Sequence, residues 1–432
     1  MKDIIKVGLC GLGTVGSGVY QLLKENFQII QKRTGIDIRI VKAATIDRYD
    51  NLGLDLAKIE VTDDVEKIIK DPEIDIVVEL IGGTTLAKKI VMESLQNGKS
   101  VVTANKALLA KCSKDIFHAA YQSKGFLGFE ASVAGGIPII RSIKEGFSGD
   151  KIDKISGIVN GTANYILSSM TQDKIDFNVA LKNAQELGYA EADPTFDIEG
   201  IDAAHKVIIL MELAFNALFE FDQLHIEGIT GIETIDIDIA GEAGYVIKLL
   251  GKMCQTEKGY EGRVHPALVK KESMLASVQG AFNAVSVYGN FVGHTMSYGA
   301  GAGSHPTASA VVSDIVEISR YIASAQQKLV YPLTVCLDQL QEEEILSIEE
   351  INSSYYLRFK ISNSENAIRV IINDLADHNI AVRSLIQKKY ESSNHLIVFT
   401  EEVLEKEMQA CLKQINSYSF ILEPAKLIRI EP

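Results

Sequence analysis

Residues 188–206 carry the densest set of chemically useful side chains in this chain. Their acidic members include Glu191, Asp197 and Asp202, and Lys206 follows Asp202 by four residues. Side chains at that spacing lie on one face of a helix, so Asp202 and Lys206 are expected to be neighbours. The carboxylates can bind the ammonium group of a small substrate, and a lysine can protonate an alkoxide. The alternative is an acid-rich helix N-terminus that carries a surface ion pair.

The N-terminal region has the spacing of a dinucleotide-binding loop. An apolar run at 4–9 predicts a buried strand, a Gly-x-Gly-x-x-Gly loop follows at once, and a helical pattern runs from 17 to about 33. Glycines allow a tight turn there and let backbone amides approach a pyrophosphate at the helix N-terminus. A plain tight turn is the alternative. The loop residues expected to contact a cofactor are Gly11, Gly13, Thr14, Val15 and Gly16.

The end of the second predicted strand bears on which dinucleotide is bound. That strand spans 38–46 and ends at Asp47, a candidate for binding the ribose hydroxyls. Arg48, the next residue, can face a 2′-phosphate or simply be a solvated loop charge. Because the two residues indicate different cofactors, both NAD and NADP stay open.

Three further segments, one strand end and two glycine-rich loops, are candidates for function. Lys106 follows a predicted strand, and ligands of open α/β sheets bind at the carboxyl ends of strands. Lys106 is therefore expected near the nicotinamide or the substrate. The alternative is that it is a solvated surface lysine. The turn at 130–138 can hold a hard cation through carbonyl oxygens, although a flexible domain crossover explains its glycines equally well. The loop at 299–306, which includes Gly303, can close over the cofactor or serve as a connection.

The order of predicted elements indicates an α/β protein with three domains. Strands at 74–80 and 100–103 alternate with helices, which predicts a Rossmann-type, doubly wound parallel sheet over 1–130, completed by 307–340. An α+β catalytic and dimerisation domain is expected over 131–306, with strands at 151–159, 228–232, 263–269 and 284–287. The βαββαβ pattern over 348–432 predicts a ferredoxin-like domain.

Bulk properties exclude several classes of protein. With 43 basic and 57 acidic residues the net charge is −14, which argues against binding to nucleic acid or to an anionic membrane surface. No apolar run reaches the length of a membrane span, which is about 20 residues. Five scattered cysteines and the absence of a signal peptide indicate a cytoplasmic protein. The chain shows no zinc-binding spacing and no serine triad signature, and no histidine is near Cys10 or Cys112 in sequence.

At these residues the chain resembles the homoserine dehydrogenase family. The resemblance covers almost all of the first 340 residues in the order of the family, and 348–432 resembles an ACT regulatory domain. No kinase module precedes the dehydrogenase, as in the monofunctional form. The matching motifs are VGLCGLGTVGSGV (7–19), VVTANKALLA (101–110), EASVAGGIPII (130–140), GIVNGTANYIL (157–167), GYAEADPTFDIEGIDAAHK (188–206) and NFVGHTMSYGAGAGSHPTASAVVSDI (290–315).

The resemblance implies the reversible NAD(P)-dependent reduction of L-aspartate 4-semialdehyde to L-homoserine, on the route to threonine, methionine and isoleucine. It implies that Lys206 donates the proton, that Lys106 is a second catalytic lysine contacting the cofactor, and that Glu191, Asp197 and Asp202 hold homoserine. Asp202 is thereby also a candidate catalytic residue. The implied sodium site comprises Glu130, Val133, Gly135 and Ile137.

The resemblance also implies a homodimer or homotetramer assembled through the middle domain, and an amino-acid effector such as threonine at the ACT-like domain. Two rivals remain. An aspartate-semialdehyde dehydrogenase needs a nucleophilic cysteine. A non-catalytic sensor would bind a dinucleotide and an amino acid without turnover.

Overall fold

The computed structural model describes residues 2–46, 54–324, 331–362, 366–390 and 393–431. Its strands, in chain order, are β1 (Ile4–Cys10), β2 (Asp37–Ala44), β3 (Glu60–Thr62), β4 (Ile76–Glu79), β5 (Ser100–Thr103), β6 (Leu127–Gly128), β7 (Ile152–Ile158), β8 (Ala217–Leu218), β9 (His225–Ile226), β10 (Tyr245–Thr256), β11 (Gly259–Lys270), β12 (Phe282–Gly289), β13 (Gly293–Ala300), β14 (Gln341–Glu342), β15 (Asn352–Ile361), β16 (Val382–Tyr390), β17 (Ser393–Thr400), β18 (Val403–Leu404) and β19 (Lys426–Ile430).

Its α-helices are α1 (Thr14–Glu25), α2 (Phe27–Thr34), α3 (Glu66–Ile69), α4 (Leu86–Gln96), α5 (Lys106–Lys111), α6 (Ser113–Gln122), α7 (Ile139–Arg141), α8 (Gly161–Asp173), α9 (Phe177–Glu186), α10 (Thr195–Ile198), α11 (Ile201–Phe215), α12 (Thr234–Glu242), α13 (Ser304–Ser324), α14 (Ala367–Asp377) and α15 (Glu405–Ile415). Within the described ranges, every helix is too short or too polar to span a bilayer. The chain forms two compact units. The first comprises 1–155, 205–222 and 283–343, and the second comprises 156–204, 223–282 and 344–432.

The first unit contains a six-stranded sheet in the order β3-β2-β1-β4-β5-β6. All of its strand pairs are parallel. This is the strand order of a dinucleotide-binding doubly wound fold, in which ligands bind beyond the carboxyl ends of the strands. Apolar residues of β1 and of helices α1 and α13 share one core cluster, so α13 packs with the sheet. The predicted Rossmann-type sheet is therefore confirmed.

The helix after the first loop differs from the prediction. It begins at Thr14 rather than at residue 17, and it is interrupted at Asn26 instead of continuing to about residue 33. Helix α1 buries residues such as Val19 and Leu23, whereas α2 buries none. Of these two helices, only α1 contributes fully buried residues to the core, whereas α2 contributes the partly buried Ile30. Gly35, in the left-handed conformation at φ 73°, ends α2.

The second unit contains an antiparallel pair, β10 and β11, and a βαββαβ segment that follows in sequence. Four strands of that segment lie in the order β19-β15-β17-β16 and are antiparallel. This is the ferredoxin-like order predicted for the C-terminal region. One face of this sheet packs against α14 and α15 in a single apolar cluster.

In the middle of the chain, one strand prediction was wrong and one strand was missed. Residues 228–232 form turns, and the nearest strand is the short β9. The twelve-residue strand β10 was missed because Lys248 interrupts its apolar pattern. Lys248 is buried there, and its Nζ donates to Asn164 Oδ1 at 2.9 Å and to the carbonyl of Val278 at 2.5 Å. Burial lowers the pKa of Lys248 to about 8.

Candidate active site

The glycine loop between β1 and α1 has a shape that glycine alone can adopt at two positions. Gly11 has φ 105°, and its N–H donates to the carbonyl of Ala44 at 2.8 Å. A Cβ on Gly16 would lie 2.1 Å from the Gly11 carbonyl oxygen. Gly13 differs, since a Cβ there would have no neighbour within 4 Å. The N-cap of α1 is Gly13 and carries no side-chain cap, so the first amides of α1 face open space beside Gly13 that suits a phosphate.

The glycine-rich loop at 299–306 lies against the loop between β1 and α1. Ser304 Oγ, at the start of α13, donates to the carbonyl of Thr14 at 2.7 Å. Gly303, directly before Ser304, has φ 118°, a conformation that favours glycine. A Cβ on Gly18 would meet Ser304 Oγ at 2.8 Å, so α1 and α13 approach closely here. The structure thus places Gly303 beside the predicted dinucleotide loop, although nearly 300 residues separate the two in sequence.

A polar network joins the carboxyl ends of β4 and β5 and positions Lys106. The buried carboxylate of Glu79 accepts hydrogen bonds from the N–H groups of Ile81 and Gly82 at 2.9 and 3.1 Å, and from Thr103 Oγ1 at 2.7 Å. Asn105 caps α5 by accepting from the N–H of Leu108 at 3.0 Å.

The side-chain amide of Asn105 also donates to the carbonyl of Gly83 at 2.7 Å. Lys106 is the first residue of α5, so this network fixes it at the sheet edge where doubly wound folds bind ligands.

The turn that begins at Glu130 has its carboxylate directed to backbone amides. Oε1 and Oε2 of Glu130 accept from the N–H groups of Ile140 and Arg141 at 2.9 and 2.8 Å. Burial raises the pKa of Glu130, and these hydrogen bonds oppose that shift. The N–H of Glu130 donates to Asp314 Oδ2 at 2.9 Å, and burial raises the pKa of Asp314 to about 8.

The geometry of this turn leaves main-chain carbonyls as candidate ligands for a cation. Ala134 and Gly135 have φ 54° and 50°, and Val133 and Ala134 are fully buried. A Cβ on Gly135 would lie 2.5 Å from the carbonyl oxygen of Gly301, so glycine is required. Among the described residues, no group of three or more His, Cys, Asp or Glu side chains could hold a metal ion. The cation site at Glu130, Val133, Gly135 and Ile137 stays a prediction, and it would draw on main-chain carbonyls, which suit a hard ion.

In the second unit, Asn160 joins two of the predicted carboxylates. Its Nδ2 donates to Asp197 Oδ1 at 2.7 Å and to Asp202 Oδ2 at 2.8 Å. Its Oδ1 accepts from the N–H of Ala163 at 2.7 Å and so caps α8. Both N–H donors of the amide thus hold the two carboxylates, while its oxygen caps the adjacent helix. Paired carboxylates of this kind suit a substrate ammonium.

The other predicted site residues are Lys206, Glu191, Asp47 and Arg48. Lys206 lies in α11, the same helix as Asp202, and both side chains are buried. Glu191 is exposed, and its main-chain carbonyl accepts from Gln185 Nε2 at 3.1 Å. Within the described part of the chain, the side-chain hydrogen bonds of Asn160 go to Asp197, Asp202 and Ala163 and not to Glu191. Asp47 and Arg48 lie outside the described residues.

Three of the cysteines have thiols whose pKa is raised by burial. Burial raises the pKa of Cys10 to about 12, with the Glu79 carboxylate adding to the effect. Burial likewise raises the pKa of Cys254 to about 11 and of Cys411 to about 12. A nucleophilic cysteine requires the opposite shift, because the thiolate is the reactive form.

Sequence reasoning missed the residues that hold the predicted side chains in place. Asn160, Glu79 and Asn105 are all buried, and each bonds to groups that are remote in sequence. A sequence signal exists for two of them, since Asn160 and Asn105 directly precede helices as N-caps do. No local signal distinguishes Glu79 from an ordinary strand-end acid.

Comparison with known proteins decides the family. The family profile described as "Homoserine dehydrogenase" matches residues 138–316, and "Homoserine dehydrogenase, NAD binding domain" matches 11–130. A homoserine dehydrogenase of Pseudomonas aeruginosa is 42% identical over 430 residues, which are 99% of each chain. One from Helicobacter pylori is 43% identical over 433 residues and all of each chain. The chain belongs to the homoserine dehydrogenase family.

Solved structures of homoserine dehydrogenases share the fold. The crystal structure of a homoserine dehydrogenase from Thiobacillus denitrificans matches with a TM-score of 0.94 and 43% identity, over 100% of this chain and 99% of that one. A homoserine dehydrogenase from S. aureus matches with a TM-score of 0.78 and 34% identity over the whole of both chains. Both matches extend over the whole, or nearly the whole, of this chain and of the relative. This homoserine dehydrogenase is an oxidoreductase with an NAD-binding domain.

Proposed function

We propose that the protein catalyses the reversible NAD(P)-dependent reduction of L-aspartate 4-semialdehyde to L-homoserine. Membership of the family, together with the carboxylate pair held by Asn160, carries this proposal. The substrate is a zwitterion with a reactive aldehyde. The enzyme therefore needs carboxylates for its ammonium group and a proton donor for its oxygen. The nicotinamide cofactor, when bound, supplies the hydride.

The roles of the side chains are taken from the family resemblance, and the joining of Asp197 and Asp202 by Asn160 supports them. Asp197 and Asp202 bind the substrate ammonium, with Glu191 as a further ligand. Lys206 protonates the carbonyl oxygen as hydride arrives, and Asp202 on the same helix supports that step. Lys106, at the end of β5, contacts the cofactor and assists catalysis. No covalent intermediate is required, which agrees with the raised pKa of the Cys10 thiol.

The cofactor is held by the loop of Gly11, Gly13, Thr14, Val15 and Gly16, with Gly303 packed beside it. The open space next to Gly13 accommodates the pyrophosphate. Asp47 is the candidate for the ribose hydroxyls and Arg48 the candidate for a 2′-phosphate, so we retain both NAD and NADP as cofactors.

Regulation and assembly complete the proposal. Three domains are proposed, with the Rossmann-type domain at 1–130 plus 307–340, the catalytic and dimerisation domain at 131–306, and an ACT-like regulatory domain at 348–432. A homodimer or homotetramer works in the cytoplasm in threonine, methionine and isoleucine biosynthesis, with an amino acid such as threonine as effector. Sodium binds the carbonyls of Glu130, Val133, Gly135 and Ile137 and stiffens that turn.

The decisive experiment follows the absorbance of the reduced nicotinamide with L-homoserine and either NAD or NADP. Lys206→Met is expected to lower kcat by about 10²- to 10⁴-fold, the usual contribution of a general acid. Its affinity for NADP should not change. Lys182→Met, at an exposed position on α9, is the matched control. Wild-type kcat in Lys206→Met would overturn the proton-donor role, and absence of turnover in a wild-type protein that binds cofactor would favour a sensor.

A further inference from the structure

Asn283, the second residue of β12, has a buried side-chain amide without a hydrogen-bond partner. The residue is 1% exposed, and neither Nδ2 nor Oδ1 forms a hydrogen bond with any residue that the structure describes. Ala284 and Val285, which follow it in the strand, are fully buried, so the amide lies in the interior of the first unit. Buried amides normally have partners, because desolvation without a hydrogen bond is unfavourable. The amide of Asn283 therefore indicates a partner that is supplied in another state of the protein.

The amide of Asn283 lies flat against Gly301 in the glycine-rich loop at 299–306. A Cβ on Gly301 would lie 2.0, 2.1 and 2.4 Å from Nδ2, Cγ and Oδ1 of Asn283. Because these three atoms are almost equally close, the amide covers the side of Gly301 that a side chain would occupy. The two peptide groups that flank Gly301 are therefore adjacent to the amide, although neither bonds to it in this conformation.

The same loop is attached at two other points. The N–H of Gly136, in the turn that follows β6, donates to the carbonyl of Ala300 at 3.0 Å. Ser304 Oγ donates to the carbonyl of Thr14 at 2.7 Å, in the loop between β1 and α1. The loop at 299–306 therefore extends from the turn after β6 to the predicted dinucleotide loop after β1.

This path crosses the region where a bound dinucleotide is expected. Strands β1 and β6 belong to different halves of the sheet, whose order is β3-β2-β1-β4-β5-β6. Each half of a doubly wound fold of this kind binds one mononucleotide, beyond the carboxyl ends of its strands. Gly301 is buried, whereas residues 302 and 303 at the tip of the loop are exposed. A movement at Gly301 would therefore change how far the tip covers the cofactor.

We propose that Asn283 is a positioning residue for the cofactor, and that its amide holds residues 299–303 in a closed form when the dinucleotide is bound. In that form the peptide groups beside Gly301 are rotated, so that an N–H donates to Oδ1 and a carbonyl accepts from Nδ2. Glycine at 299, 301 and 303 allows such a rotation at low cost, because it has no Cβ. The inference needs the dinucleotide binding that the family establishes, and it does not depend on the substrate or the proton donor proposed above.

Two variants of the full chain, Asn283→Ala and Asn283→Leu, test the proposal through binding rather than turnover. Fluorescence titration with NADH and NADPH should show affinity for the preferred cofactor weakened by roughly tenfold, as expected for the loss of two neutral hydrogen bonds. Hydrogen exchange measured by mass spectrometry should show that this cofactor protects the amides of 299–303 in the wild type and protects them less in both variants. Gln122→Ala, which removes an exposed amide from α6, is the matched control and should behave like the wild type.

The outcomes separate a role in cofactor binding from a role in the core alone. Alanine leaves space and leucine fills more than the amide does, so an effect common to both variants reports the loss of the polar atoms. Weaker binding together with lower protection supports the proposal, even in a protein that does not turn over homoserine. Wild-type affinity and wild-type protection in either folded variant would overturn it. A lower melting temperature with unchanged cofactor affinity would also overturn it, because the amide would then serve only the packing of the core.

Discussion

Asn160 and Asp202 are 42 residues apart in sequence, and a hydrogen bond of 2.8 Å joins Asn160 Nδ2 to Asp202 Oδ2. The same nitrogen donates to Asp197 at 2.7 Å. One buried amide therefore sets the spacing of two like charges that would otherwise repel each other. Because the carbonyl oxygen of that amide caps α8, the position of the carboxylates depends on the start of a helix.

Asn160→Ala should raise the KM for homoserine by roughly tenfold or more, since a hydrogen bond to a charged group contributes about 1.5–3 kcal/mol. It should also lower stability by about 1 kcal/mol through the lost cap. Steady-state kinetics and a thermal melt measure the two effects. Asn160→Asp retains the cap but adds a third carboxylate, so it should lose substrate affinity while its melting temperature falls less. Unchanged KM in both variants would contradict the positioning role of Asn160.

The two glycines of the first loop should respond differently to alanine. Gly16→Ala places a methyl group 2.1 Å from the Gly11 carbonyl oxygen, so it should destabilise the fold by about 1–3 kcal/mol or more, as overpacking does. Gly13→Ala meets no neighbour within 4 Å and should melt like the wild type, yet bind NADP more weakly because the methyl occupies the phosphate approach. Fluorescence titration with NADPH and a thermal melt separate the cases. Equal cofactor affinity in Gly13→Ala would refute that placement.

Asp314 should make the first unit less stable as the pH rises. Burial raises the pKa of Asp314 from its ordinary value of 3.8 to about 8, so the folded state binds an extra proton between these values. Stability that this carboxyl contributes is therefore complete below pH 3.8 and is lost as the pH rises towards 8. Asp314→Asn can still accept from the N–H of Glu130, and its melting temperature should exceed that of the wild type increasingly from pH 6 to about 8.

Melting curves from pH 5 to about 9 measure the effect of Asp314→Asn. Asp222→Asn, at an exposed position, is the control and should follow the wild type. A difference between Asp314→Asn and the wild type that does not change with pH would show that the carboxyl does not titrate as inferred.

In the second unit, the contributions of the buried residues Asp236 and Arg358 to the free energy of unfolding should be coupled. Asp236 is 0% and Arg358 is 3% exposed, and 2.8 Å separates Asp236 Oδ1 from Arg358 Nε. Loss of either partner leaves a buried charge, so Asp236→Leu and Arg358→Met should each cost about 3–5 kcal/mol. The double variant should cost clearly less than the sum. Calorimetric unfolding measures the cycle, and additive losses would argue against coupling.

The exposed pair of Lys388 and Glu242 is the matched control for that cycle. Its atoms are 2.6 Å apart, but Glu242 is largely exposed. Surface ion pairs contribute about 0–1 kcal/mol, so Lys388→Met should change the melting temperature little.

The sequence by itself predicted the features that depend on neighbouring residues. The strand–glycine loop–helix order at the N-terminus and the βαββαβ order at the C-terminus were both recognisable, because turn chemistry and apolar periodicity are local. Local reasoning was wrong where one residue departs from its pattern for a distant reason. Strand β10 was missed because Lys248 interrupts its apolar pattern. A lysine can be buried there because its ammonium donates to Asn164, which is 84 residues away in sequence.

Only the tertiary structure decided how the candidate residues are held. Ser304 contacts Thr14, Glu79 contacts Thr103, and Asn160 contacts Asp197 and Asp202, each across more than 20 residues of sequence. Such contacts leave no periodic trace, because a buried polar side chain needs a partner in space and not at any fixed distance along the chain. The sequence therefore predicted which residue types are reactive. The amides and hydroxyls that orient those residues could be identified only in the folded structure.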